Sequence, residues 1–545
     1  MAGWKYRIKV KPIRELADQS RDIAFSRNSE NGNQMVATLM KKASMPGSMA
    51  SLPSTVPMFR PSWRFPREFF TCRQCLQARP PLSRIPRQLM GTAAFRKPFR
   101  LNSIVAQAGR WRSTNTRTRN ISQTVMNAAS AEASIASKTR FPEVSSKIVA
   151  YWLLGSAASV FGIVVFGGLT RLTESGLSIT EWRPVTGSLP PMNAEDWESE
   201  FAKYRASPEY KVLNPNMALA EFKNIYYMEW IHRIWGRFVG LSFVIPAIYF
   251  TMAKKVSKPM ALRLTGIAGL IGFQGFLGWW MVKSGLKDDL FAPGSHPRVS
   301  QYRLTAHLCA AFVCYVAMLW NGLAILRQHR LLADPEKGLK ILEALRNPKL
   351  NIFRRSVAGL ALLVFCTAMS GGLVAGLDAG LIYNEFPTMG NRLAPPKSEL
   401  FDSHYSRKAD GSDLWWRNML ENPSLVQLDH RILAMTTFSS VMGLWAYSKL
   451  PTMRQLLPRV ASKGVHGVVA FTMVQVGLGI STLLYLVPIH LASAHQAGSL
   501  FLLTWVLVLG SRVWHPSRTA RLLQIATKIK EGGVSRARPT LVKGS

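Results

Sequence analysis

The sequence predicts an all-α integral membrane protein whose eight transmembrane helices form two tandem four-helix bundles, related by a pseudo-twofold axis along the membrane normal. Three observations lead to this prediction. Apolar stretches near the length of about 20 residues that a bilayer requires recur along the chain. Sequence strings from the first half return in the second half. A histidine stands near one end of four of these stretches.

Composition limits the class of protein. The chain has 545 residues, 48% of them hydrophobic, and a formal net charge of +38. This combination fits neither a soluble acidic enzyme nor a disordered protein. The apolar and basic residues must therefore lie in different parts of the chain.

Residues 1–145 are a basic leader, which we predict to be largely disordered. Up to Arg140 it holds 25 Lys and Arg against 6 Asp and Glu, a net charge of 25 − 6 = +19. A nucleic-acid-binding tail has a similar composition, but an Arg-rich, acid-poor segment before a membrane domain favours mitochondrial targeting. Cys72 and Cys75 form a CxxC there, which without further ligands predicts no metal or redox site.

The apolar stretches lie near residues 148–170, 230–252, 262–283, 303–326, 356–377, 430–449, 464–487 and 490–513. Basic residues concentrate in alternate loops, which predicts that both termini face the mitochondrial matrix. The predicted domains are a first bundle at 146–327, a matrix linker at 328–355, a second bundle at 356–515 and a basic matrix tail at 516–545.

An internal repeat supports the two bundles. Gly-Gly-Leu at 167–169 returns 204 residues later at 371–373, and Gln-Gly-Phe-Leu-Gly at 274–278 returns as Gln-Val-Gly-Leu-Gly at 475–479. Four spans in each half give both repeats the same orientation in the membrane, so the pseudo-twofold axis follows the membrane normal.

Four histidines are the candidate ligands. A single His on an apolar helix is usually a paired core residue, but four at matching depth form two matching pairs. Imidazole is a common axial ligand of haem iron, and bundles build such sites from facing helices. Neither pair has the further ligands of a tetrahedral zinc site. The predicted haem sites are His232 with His307, and His430 with His495.

The two halves differ three residues before the first histidine of each pair. The first half has Glu229 and the second has Gln427, each on the same helical face as its histidine. Glu229 is a candidate acid, base or electrostatic stabiliser, or alternatively a helix-start residue favoured by the helix dipole. Arg233 and Arg431 are candidate partners of haem propionates, or alternatively anchors of the helix ends.

The strings Gly-Gly-Leu-Thr-Arg-Leu-Thr-Glu-Ser-Gly-Leu-Ser at 167–178 and Glu-Trp-Ile-His-Arg at 229–233 resemble the mitochondrial haem A synthases, the cytochrome oxidase assembly factor 15 family. The resemblance covers about residues 148–515. It implies a multi-pass protein of the mitochondrial inner membrane that oxidises a methyl group of haem O to the formyl group of haem A for cytochrome c oxidase. Some bacterial members carry a cysteine pair in an outer loop, which this chain lacks.

The resemblance also implies residue roles and partners. His430 and His495 would ligate a haem b cofactor, His232 and His307 would bind the substrate haem O, and Glu229 would assist catalysis. Reducing equivalents would come from a mitochondrial ferredoxin system, and haem O synthase would deliver the substrate. The predicted surroundings are inner-membrane lipid without nucleic acid, and a homo-oligomer is left open.

Two other functions use the same residues. A dihaem b-type electron-transfer protein would need the same four ligands, although the presence of Glu229 in one half only argues against it. A repeat-built transporter or a haem-binding assembly chaperone would not need four ligands at one depth.

Overall fold

The computed structural model describes residues 141–183, 186–291 and 296–536. Within these ranges the chain is helical and contains no strand. Its long helices are α1 (Lys147–Leu172), α2 (Leu219–Met252), α3 (Lys258–Val282), α4 (Gln301–Leu332), α5 (Leu350–Gly376), α6 (Pro423–Lys449), α7 (Arg459–Leu484) and α8 (Ile489–Val513). The leader prediction for residues 1–140, with Cys72 and Cys75, falls outside the described residues.

Seven of the long helices, all except α6, are long and apolar enough to cross a membrane. Helix α6 is 27 residues long. It carries Asp429, His430 and Arg431 near its start and six hydroxyl side chains further on. These polar groups make α6 less apolar than the other long helices, although the sequence predicted a span there.

The long helices pack in two sets of four. In the first set, α1 contacts α2 and α4, and α3 contacts the same two helices; in the second, α5 contacts α6 and α8, and α7 contacts the same two. The sets meet where α8 contacts α1 and α4, and where α5 contacts α4. A single cluster of buried apolar side chains runs through both sets. This packing holds because in lipid close van der Waals contact, rather than the hydrophobic effect, joins helices.

Helix α2 begins earlier than predicted. Its first residue is Leu219, so His232 lies 232 − 219 = 13 residues inside the helix rather than at its opening. His307, His430 and His495 lie six or seven residues after the first residue of their helices. The extra turns of α2 carry Phe222 and Tyr226, which pack against apolar side chains of the segment between α1 and α2.

The segment between α1 and α2 is folded where the structure describes it. It contains the helices Ala194–Arg205 and Pro208–Leu213. Residues 178–226, here named the cap, have their own aromatic core. That core comprises Ile179, Trp197, Phe201, Tyr204, Phe222 and Tyr226.

Further helices lie in the predicted linker and tail. Pro335–Leu345 follows α4, and Ser517–Arg536 follows α8. These two helices pack against each other. No apolar stretch of membrane length was predicted in either place, and neither helix is by itself long and apolar enough to cross a membrane.

The cap buries one carboxyl group. Glu209 is 5% exposed and accepts a hydrogen bond from the Tyr204 hydroxyl at 2.9 Å. Burial raises the pKa of Glu209 to about 8, because desolvation disfavours the charged form. The protonated form is therefore the one that the folded cap prefers.

A raised folded-state pKa predicts the pH dependence of the cap. The stability that Glu209 contributes is complete below its ordinary pKa of 4.5 and is lost as pH rises towards about 8. Glu209→Gln should remove this dependence and protect the cap above pH 8. Hydrogen exchange of residues 194–213 between pH 5 and 9, corrected for intrinsic rates, measures it. The exposed Glu195→Gln is the control, and an unchanged profile in Glu209→Gln would contradict the prediction.

Candidate functional site

Each of the four candidate histidines lies against a glycine of a neighbouring helix. In the first set, a Cβ added at Gly167 on α1 would lie 2.8 Å from Cε1 of His232 on α2. One added at Gly278 on α3 would lie 3.5 Å from Cε1 of His307 on α4. These glycines leave room for the imidazole rings inside the bundle.

The second set repeats the arrangement. A Cβ at Gly371 on α5 would lie 3.1 Å from Cε1 of His430 on α6, and one at Gly479 on α7 would lie 2.9 Å from Cε1 of His495 on α8. Gly371 and Gly479 are the repeat counterparts of Gly167 and Gly278. The sequence repeat therefore corresponds to one contact pattern made twice.

The histidines of the second pair face each other. The ring centroids of His430 and His495 are 6.5 Å apart and their planes are nearly perpendicular, at 88°. Two imidazoles that share one iron, each through a metal–nitrogen bond of about 2 Å, have centroids roughly 6 Å apart. This pair therefore has the spacing that a bis-histidine haem requires.

Ser370 makes a hydrogen bond with the ring of His430. The Ser370 hydroxyl donates to the carbonyl of Thr367 at 2.8 Å, and its oxygen lies 2.7 Å from Nδ1 of His430. The oxygen can then accept a proton from Nδ1, which leaves the Nε2 lone pair free for a metal. Gln475 contacts the partner histidine, with its amide nitrogen 2.8 Å from the carbonyl of His495 and 3.1 Å from Nδ1.

The first pair has different neighbours. His232 on α2 and His307 on α4 lie in the first set of helices. Nδ1 of each ring is buried and has no hydrogen-bond partner among the described residues. Phe166 lies parallel to His232, with ring centroids 6.5 Å apart and planes 9° apart. Gln274 donates to the carbonyl of His307 at 3.1 Å but makes no bond to its ring.

The two pockets are joined by a contact between Gly168 on α1 and Gln496 on α8. Gly168, next to the glycine that contacts His232, leaves no space for a Cβ beside the Gln496 amide. Gln496 follows His495 on α8 and donates to the carbonyl of Val164 on α1 at 3.0 Å. Gln496, which is adjacent to His495, thus contacts α1, the helix whose glycine lies against His232.

Glu229 is buried and has several hydrogen bonds. Its Oε2 accepts from the Ser178 hydroxyl at 2.7 Å and from the backbone N–H of Ile179 at 2.8 Å. Its Oε1 accepts from Arg233 at 2.7 and 3.0 Å. Glu229 lies ten residues after Leu219, so the alternative of a helix-start residue is wrong. These contacts join α2 to the start of the cap.

The two arginines also bind loop backbone. Arg233 donates to the carbonyls of Ile179 and Glu181 at 2.7 and 3.0 Å. Arg431 donates to those of Tyr383 and Thr388 at 3.0 and 2.9 Å. These contacts correspond to the anchoring role that the sequence left open beside the propionate role.

Several residues at the site were not singled out from the sequence. Ser370 was missed, although it directly precedes the second Gly-Gly pair and is the repeat counterpart of Phe166. Also missed was the ion pairing of Asp378 with Arg171 at 2.8 Å and with Arg298 at 3.1 Å, which joins the two halves of the chain. The constant offset of 204 residues was the signal that could have revealed the difference between Phe166 and Ser370.

The glycine contacts predict a difference between two matched substitutions. Gly479→Ala places a methyl group 2.9 Å from the His495 ring, whereas Gly278→Ala meets His307 at an ordinary 3.5 Å. Alanine is the better helix former by about 1 kcal/mol, so helix propensity alone would favour both variants. We expect Gly479→Ala to lower haem retention about tenfold and Gly278→Ala to leave it unchanged. Haem content per purified protein measures this, and equal loss in both variants would contradict it.

Residues 150–507 match the cytochrome oxidase assembly protein family, COX15-CtaA. The matched region contains all four candidate histidines and both Gly-Gly pairs. It covers most of the described helices, from the start of α1 to the last part of α8.

Individual relatives agree with this match. The chain is 53% identical over 378 residues to the haem A synthase COX15 of Saccharomyces cerevisiae, covering 69% of this chain and 77% of the relative. It is 44% identical over 367 residues to haem A synthase COX15 of Homo sapiens, covering 67% and 82%. A haem A synthase–mitochondrial ferredoxin fusion protein of Schizosaccharomyces pombe is 50% identical over 393 residues, covering 71% and 63%.

Proposed function

Because the chain belongs to the cytochrome oxidase assembly protein family, we propose that it is a haem A synthase, an enzyme that oxidises the methyl group of haem O to the formyl group of haem A for cytochrome c oxidase. The observation that carries the proposal is the pair of glycine-seated histidine pockets inside the matched region. The conversion takes up one oxygen atom and removes two hydrogens, a four-electron oxidation of the methyl carbon.

The two pockets have different roles in this proposal. His430 and His495 hold a resident haem b, which their spacing and the bond from Ser370 support. His232 and His307 bind the iron of haem O, and their unpartnered Nδ1 atoms leave these rings freer to turn as substrate enters and product leaves. When bound, haem b would carry single electrons between an external redox partner and the first pocket.

Glu229 assists the first pocket as a fixed negative charge. Arg233 and two donors from the cap surround its carboxylate, so these contacts favour electrostatic stabilisation over proton donation. Its counterpart Gln427 donates to the carbonyl of Tyr383 at 2.9 Å and carries no charge. Arg233 and Arg431 remain candidates for contact with haem propionates, although loop carbonyls already occupy part of each guanidinium.

The chain is a multi-pass membrane protein, and its eukaryotic relatives are consistent with a mitochondrial location. In the proposed arrangement it lies in the inner membrane with eight spans, α6 included, and with both termini in the matrix. The two sets of four contacting helices and the basic residues in alternate loops support two bundles related by an axis along the membrane normal. Contacts with neighbouring helices would let α6 span despite its polar side chains.

The electron donor is a mitochondrial ferredoxin system. Its support is the Schizosaccharomyces pombe relative, whose name joins haem A synthase and ferredoxin in one protein. Delivery of substrate by haem O synthase stays a prediction from the sequence resemblance. A dihaem electron-transfer protein, the alternative function, is not favoured by the comparisons.

Glu229→Gln tests the role of the first pocket. The substitution removes the charge but keeps the side-chain length, and the cap contacts can partly persist through the amide. We expect haem A formation to fall about 10- to 100-fold with haem b retained, because a buried charge at the site is lost. Haem extraction from membranes supplied with haem O measures both quantities. Ser178→Ala is the control for the cap bond alone, and full product formation in Glu229→Gln would remove Glu229 from the mechanism.

A further inference from the structure

The two pockets differ at one repeat position that contacts a ligand. Position 370 on α5 is Ser, and position 166 on α1, 204 residues earlier, is Phe. Both residues directly precede a glycine that seats the first histidine of its pocket. The two positions are therefore equivalent in the fold as well as in the sequence.

At this position the second pocket has a hydrogen bond and the first has none. The Ser370 oxygen lies 2.7 Å from Nδ1 of His430. Phe166 presents a ring face near His232, whose Nδ1 is buried without a partner among the described residues. A hydrogen bond from the far nitrogen of a ligand histidine fixes the ring, sets the tautomer and makes the nitrogen at the metal more basic.

We propose that Ser370 is a positioning residue that makes the second pocket a permanent haem site, and that Phe166 makes the first pocket an exchanging one. This inference rests on the proposed function and deepens it. A cofactor must stay bound through many turnovers, whereas a substrate must enter and its product must leave. One hydroxyl group on α5, absent from the equivalent place on α1, provides this difference.

A second contact of the Ser370 hydroxyl supports the proposal. The carbonyl of Thr367 lies 2.8 Å from the Ser370 oxygen, and donation of the hydroxyl proton there leaves the oxygen able to accept a proton from Nδ1 of His430. Thr367 lies one turn earlier on α5, and its own hydroxyl bonds Leu363 and Thr437 instead of a histidine ring. Thr367 therefore provides a matched position whose hydroxyl does not contact a ligand ring.

The test uses the full chain with His232→Ala and His307→Ala, so that the bound haem reports on the second pocket only. Ser370→Ala, Ser370→Thr and Thr367→Val are compared in this background. The readouts are the rate of haem transfer to excess apomyoglobin and the midpoint potential of the bound haem.

We expect Ser370→Ala to speed haem loss about 10- to 100-fold, the range typical of losing such a supporting bond. Its midpoint potential should rise, because a less basic ligand stabilises the oxidised iron less well. Ser370→Thr, which keeps the hydroxyl, should restore both values, and Thr367→Val should change neither.

A Ser370→Ala rate within twofold of the background would overturn the role of Ser370. Equal acceleration in Ser370→Ala and Thr367→Val would also overturn it, because the effect would then be a general loosening of α5. A background protein that binds no haem at all would instead contradict the assignment of His430 and His495, and with it this inference.

Discussion

Replacing His495 with alanine is expected to remove the haem b that we propose for the second pocket and to abolish haem A formation. His495 faces His430 at a ring-centroid distance of 6.5 Å, and the alanine side chain leaves one axial position without a ligand. We expect the haem b content to fall far below one haem per protein and haem A formation to fall about 100-fold or more. Optical spectra of purified protein and extracted haems measure the two losses.

His490→Ala is the matched control for this experiment. His490 lies on the same helix, five residues before His495, and is exposed. It should keep both haem b and product formation. Retention of a six-coordinate haem b in His495→Ala would contradict the second pocket as the cofactor site.

Replacing His232 with alanine is expected to separate the two pockets. His232 lies against Gly167 on α1, in the first set of helices, whereas Ser370 is on α5 in the second. The variant should retain haem b at the normal level and yet form about 100-fold less haem A, because the iron of haem O loses a ligand at the reacting pocket.

The contrast between the two alanine variants is the informative result. An electron carrier without its own chemistry would lose one haem in each of the two variants. It would form no haem A in the variants or in the unsubstituted protein. Loss of haem b in His232→Ala, or haem A formation at the parent rate, would contradict the division of roles between the pockets.

Much of the site was predictable because the sequence repeat carries it. The internal repeat placed the Gly-Gly pairs and the four histidines in the same order in both halves, and the structure seats each histidine on a glycine of a neighbouring helix. The long apolar helices followed from length and hydropathy alone. The eight-span arrangement stays a prediction, since α6 is more polar than the other long helices.

Other features depend on contacts that periodicity does not encode. The start of α2 at Leu219 is set by aromatic packing of the cap, so a hydropathy pattern placed it too late. The buried network of Glu229 joins it to Ser178 and Ile179, about 50 residues away along the chain. The hydrogen bond between Ser370 and His430 likewise crosses between two helices, and only the fold brings them together.

The most direct test of the central claim is identification by mass of the haems extracted from membranes that contain this chain and a source of haem O. The proposed function predicts haem A together with retained haem b, and neither haem A nor its partly oxidised precursors in membranes without the chain. Haem b in both pockets, with haem O unchanged, would contradict the claim and place the chain among electron-transfer proteins.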